Sequence, residues 1–85
     1  MLDFIESFNN SNPRFLEVLL KRYPSLTQRE ILLCMYLKLN YSSDEISSSM
    51  KITRASVDTY RHNLRKKFDL ARTQSLISHL NTIEK

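Results

Sequence analysis

The 85-residue chain carries 13 Lys and Arg against 9 Asp and Glu, a net +4, with no glycine and one cysteine. Its length gives one domain with one modest core, and the basic balance (pI about 9.5) favours an anionic partner. No apolar run approaches the ~20 residues of a membrane span, the N-terminus MLDFIESF lacks the basic flank of a signal peptide, and lone Cys34 inside ILLCMYL suits a buried thiol in a reducing cytosol.

Without glycine the favoured primed hairpin turns are hard to build, and apolar spacing is helical nearly throughout. The expectation is an all-α domain. Leu2, Ile5 and Phe8 form a short amphipathic segment, interrupted by NNSNP. Asn12 is placed to cap, and Pro13 to begin, a second helix Pro13–Arg22 that buries Phe15, Leu16, Leu19 and Leu20. Tyr23-Pro24 ends it, because the residue before proline is pushed out of the α region.

Thr27, or Ser25, caps the helix Gln28–Leu39, and Glu30 three residues after Thr27 gives a T-x-x-E capping box. Ile31, Leu32, Met35, Tyr36 and Leu39 are its expected buried stripe, and Asn40 takes the left-handed position after it. Ser42 or Ser43 caps a short helix ending at Met50, with Asp44 and Glu45 in its first turn and Ile46 and Met50 turned inward. Thr53 caps the next helix, about Arg54–Phe68, whose inward stripe is Val57, Tyr60 or Arg61, Leu64 and Phe68. A last helix at about Arg72–Ile83 buries Leu76, Ile77, Leu80 and Ile83.

The segment Lys51–Arg72 concentrates the charge. Lys51, Arg54, Arg61, Arg65, Lys66, Lys67 and Arg72 stand against Asp58 and Asp69, a net of +5, while the rest of the chain sums to −1. One basic helix, preceded across a tight turn by a short polar helix, is the pattern of a helix-turn-helix with a reading helix for nucleic acid. Arg54, Arg61, Arg65, Lys66 and Lys67 are candidate phosphate contacts. Thr53 and Ser56 join them through hydroxyls and free N–H groups at the helix start.

The motifs LTQRE (26–30), SSDEI (42–46) and ITRASVDTYRHNLRKKFDL (52–70) together resemble the LuxR/GerE-type helix-turn-helix domain of bacterial transcription regulators, over about Leu26–Leu80. A narrower likeness, through FIESF, NPRFLEVLLKRYPSLT and SVDTYRHNLRKKF, is to the C-terminal output domain of Bacteroidetes-type regulators. The resemblance implies a four-helix domain at 25–85, preceded by a helical connector at 1–24 that ends a longer sensor protein. It implies sequence-specific binding of double-stranded DNA in the cytoplasm, at the nucleoid. Asp58, Thr59 and His62 fall on the family's base-reading positions. Leu76, Ile77 and Leu80 fall on the helix that often carries a homodimer contact, and contact with RNA polymerase is a further implied partner.

The chain departs from the pattern at three points. Ser47 replaces a common alanine. Lys51 stands where Gly or Asn is usual, at a strain of roughly 1 kcal/mol if its φ is positive. Asp58 is commonly Lys in the broad family; it cannot bind phosphate but can accept from cytosine N4 or order a neighbouring Arg.

The rival reading is a helix-turn-helix module for an acidic protein partner. An enzyme is disfavoured, since no nucleophile–base pair or phosphate-cradling glycine is present. His62 and His79 have no Cys or carboxylate at ligand spacing, so no metal is expected. No cofactor and no small-molecule ligand are implied.

Overall fold

The computed structural model describes residues 2–71 and 73–83, with the Leu2 side chain excepted. Among them the helices are α1 (Leu2–Ser11), α2 (Phe15–Arg22), α3 (Gln28–Lys38), α4 (Ser43–Met50), α5 (Arg54–Lys67) and α6 (Leu76–Thr82), with no strand. Arg72, expected to open the last helix, lies outside the described residues.

Local chemistry sets most boundaries. Thr27 and Glu30 close a reciprocal capping box, Thr27 N–H to Glu30 Oε1 at 2.9 Å and Glu30 N–H to Thr27 Oγ1 at 3.2 Å. Ser42 and Glu45 repeat it at α4, at 2.8 and 3.2 Å, which makes Ser42 rather than Ser43 the cap. Asn40, Lys51 and Asp69 all have positive φ, at 64°, 57° and 57°, so among the described residues the backbone makes three left-handed turns without glycine. After Lys51 the turn is bolted from α4, because Ser47 Oγ donates to Ile52 O at 2.6 Å. Serine in place of alanine here supplies a hydrogen bond.

Four sequence expectations are corrected. Asn12 does not cap α2: its backbone and side-chain N–H groups both go to Phe8 O, at 2.8 and 3.3 Å. That closes α1 at Ser11 and leaves Pro13 in the turn, with α2 starting at Phe15 behind an Arg14 that makes no side-chain cap. On α2 only Phe15 and Leu19 are buried, and Leu20 is exposed. On α3 the buried face is Glu30, Leu33, Cys34, Met35, Tyr36 and Leu37, while Ile31 and Leu32 are half-exposed and Leu39 is exposed. Finally, α6 begins at Leu76 behind a Ser75 cap, because Gln74 folds the preceding segment into a turn through Ala71 N–H to Gln74 Oε1 at 2.7 Å.

The α3 correction has a tertiary cause. This helix packs on α5 and α6 and takes the ring of Phe4 against Tyr36, with centroids 4.5 Å apart. Burial therefore wraps around much of its circumference, and a single stripe does not describe it. Phe8, Phe15 and Leu19 from α1 and α2 share one apolar core with Leu33, Leu37, Ile46, Val57, Leu64, Phe68, Leu76 and Leu80. Cys34 is fully buried there; burial, then the charge of Glu30, pushes its thiol up to about 12. It is an inert packing group.

Candidate nucleic-acid interface

α5 is held on one side and free on the other. Val57, Leu64 and the capping Phe68 are buried, which fixes the helix rotation, and α4 packs beside it. Its start is set by Thr53, whose Oγ1 accepts from Ser56 N–H at 3.1 Å. Opposite the buried line, Ala55, Thr59, His62 and Lys66 are all exposed. They stand at i, i+4, i+7 and i+11, one continuous helical face. Asp58 is exposed on its flank. The candidate readers Asp58, Thr59 and His62 are thus brought together beside an outward lysine.

The structure divides the cations that sequence alone groups as one phosphate-binding set. Lys66 is exposed and, among the described residues, makes no ion pair, whereas Lys67 turns inward. Lys67 Nζ lies 2.6 Å from Glu30 Oε1 and 3.0 Å from Ser25 O, and the Glu30 side chain is only 4% exposed. Burial raises the Glu30 pKa, but hydrogen bonds from Lys67 and Thr27 and the Lys67 charge outweigh it, so the carboxyl titrates below its ordinary value. Lys67 is a clamp between α5 and α3, its Nζ engaged on both partners, and it stands apart from the outward line that carries Lys66.

Arg54 pairs with Asp44 of α4 at 2.5 Å, with side chains 57% and 79% exposed. Such a solvated pair is worth at most about 1 kcal/mol and is readily exchanged for a phosphate. Arg65 donates to Gln74 O at 2.5 Å, lying along the loop to α6. Arg61 is half-buried; burial and then the neighbouring charge of Arg65 lower its pKa, against a smaller opposing effect of Asp58. It sits at the margin of the face, although its charge and motif position put it among the expected phosphate contacts. Ser56 and Thr53 are joined through their hydroxyls at 3.0 Å.

Ala55 is absent from the sequence-derived candidates because a small apolar residue carries no charge signal, although its spacing from Thr59 and His62 marks the face. Asp44 has a sequence signature only as a helix-start charge; its pairing with Arg54 across the turn has none. Of the dimer candidates, Leu76 is 1% and Leu80 0% exposed. Both are spent in the core of one copy, which removes them from a dimer surface; Ile77 alone stays half-exposed.

The family model described as bacterial regulatory proteins, luxR family (GerE), matches residues 24–80, from just after α2 through most of α6. The chain belongs to the LuxR family. Its regulators are DNA-binding helix-turn-helix proteins and not enzymes, and the LuxR-type pair here is α4 and α5. No curated protein and no solved structure matches significantly. Among the described residues of this LuxR-family chain, no helix is long and apolar enough to cross a membrane, and no cluster of three His, Cys, Asp or Glu could hold a metal.

Proposed function

We propose that this LuxR-family domain binds duplex DNA with sequence preference, as the output domain of a bacterial transcription regulator acting in the cytoplasm. The observation that carries the reading is the exposed line Ala55–Thr59–His62–Lys66 on a helix locked by its opposite face. A 14-residue helix is about 21 Å long, and a major groove about 12 Å wide admits it. α5 lies in that groove, α4 crosses the backbone, and Lys66 and an Arg54 released from Asp44 neutralise phosphates. Thr53 and Ser56 face a phosphate at the helix start, and Thr59, His62 and Asp58 face base edges.

Selection of sites from random duplex tests this, followed by mobility shifts on the selected site and on scrambled DNA. Affinity is expected to fall steeply with salt. Lys66→Ala should weaken both duplexes alike, whereas His62→Ala should narrow the gap between them. A chain that shifts no duplex at low salt refutes the proposal and leaves an acidic protein as the partner to seek.

A further inference from the structure

Beside the exposed line, the first turns of α5 carry a shallow notch lined by Ala55, Ser56, Thr59 and Tyr60. The hydroxyl between its two outermost methyls, that of Thr59, is engaged within the helix. Thr59 Oγ1 donates to Ala55 O at 3.0 Å, and at the edge of the notch the Ser56 hydroxyl oxygen accepts from Thr53 Oγ1 at 3.0 Å and keeps its own hydrogen. With its hydrogen spent on the backbone, the Thr59 hydroxyl can accept but not donate, and the side chain adds a methyl beside that of Ala55. Tyr60 is half-buried and packed on the core, so it forms a fixed wall. On the Ala55–Thr59 side of the notch the unspent chemistry is two methyl groups, which suit an apolar knob.

The only apolar knob that a major groove presents on its base edges is the 5-methyl of thymine, and alanine and the threonine methyl are the side-chain groups that meet it. The geometry points to this notch as the receptor for one thymine 5-methyl group, making Ala55 and Thr59 specificity determinants through apolar contact. The inference rests on the DNA-binding reading above and deepens it: one position of the preferred site is fixed by shape and methyl burial, without a direct hydrogen bond from Thr59. Lys66, farther along the same face, supplies charge that carries no such preference.

The test uses the full 85-residue chain and the duplex it selects from random DNA. Each thymine is replaced singly by uracil, which deletes the methyl and leaves every hydrogen-bonding group. At one position, this should weaken binding about fourfold, the worth of one buried methyl-sized group. Thr59→Ser keeps the hydroxyl and loses the methyl; Ala55→Gly deletes the other methyl. Both variants should bind the thymine site more weakly and should lose part or all of the penalty for uracil. Circular dichroism checks that each stays folded, and Thr59→Ser is the variant least able to disturb α5. If a specific site is found but no uracil substitution weakens binding, the notch is not a methyl receptor and the DNA-binding reading survives. An undiminished penalty in both variants also overturns the inference, because the methyl is then seated elsewhere. Absence of any duplex binding fails the reading beneath it.

Discussion

Lys66 and Lys67 are neighbours in sequence and opposites in the fold. One stands on the outward face of α5, and the other is drawn between α5 and α3 onto a buried carboxylate. A helix turns about 100° per residue, so a run such as RKK cannot act as one patch. The outward face offers charge to a partner, while the inward edge uses charge to fix where that face points. Neither the +5 of the segment nor the motif RKK separates the two roles; only the partner on α3 does.

The largest effect expected from breaking this contrast lies at the clamp. Lys67→Ala leaves Glu30 buried without its partner and should cost about 2–3 kcal/mol of stability, read from urea or thermal unfolding. Where the variant remains folded, the salt dependence of DNA binding should be unchanged. A fall in the salt slope with intact stability would return Lys67 to the phosphate contacts. The Glu30 carboxyl sharpens the test. Its folded pKa lies below its ordinary value of 4.5, so its stabilisation is present above about pH 4.5 and is lost as pH falls through the folded value.

Lys66→Ala should do the reverse. Stability should stay within about 0.5 kcal/mol, as for most surface substitutions. Affinity should drop on every duplex, and the slope of log affinity against log salt should lessen by about 0.9. Asp44→Asn, across the turn, should act more weakly and in the opposite direction. It frees Arg54 from a solvated pair worth at most about 1 kcal/mol and removes a carboxylate from beside the start of the reading helix, so affinity should rise by no more than a few-fold at low salt. An unchanged affinity would mean that Arg54 is bound to no phosphate in the complex.

What was legible in the sequence was what is local. The capping box at Thr27, a serine cap at 42 or 43, the Thr53 cap and the left-handed Asn40 follow from residues within a few positions of the backbone they serve. What was hidden depends on distant neighbours. The buried face of α3 is set by α1, α5 and α6 together, and apolar periodicity within one helix misplaces it onto Ile31, Leu32 and Leu39. Lys67 finds Glu30 from 37 positions away, and Leu76 and Leu80, apolar and regularly spaced, could have served a dimer as well as a core. The candidate readers Asp58, Thr59 and His62 emerge because spacing and family resemblance put them on one face. Ala55 does not, since nothing in its chemistry distinguishes a contact from a spacer.

The smallest effect expected concerns a junction away from the reading face. Tyr23 at the end of α2, Phe68 at the end of α5 and His79 on α6 meet, with Tyr23 Oη 3.0 Å from His79 Nε2 and the Phe68 and His79 rings 4.9 Å apart. Burial, and then the charge of Arg22, lower the His79 pKa below its ordinary 6.5. The unfolded chain therefore binds a proton more readily than the folded one, and stability rises with pH across that interval. The contribution is complete above about pH 6.5 and is lost as pH falls toward the folded value, at higher pH than the loss from Glu30. His79→Gln should flatten the upper part of an acid titration of stability and leave the lower part, below about pH 4.5, in place. Because the Phe68 ring that ends α5 lies beside His79, a coupling between His79 protonation and the reading helix would make DNA affinity fall slightly more between about pH 7 and 5 in the parent chain than in His79→Gln. Equal pH profiles for the two proteins would confine the junction to holding α2 against α6.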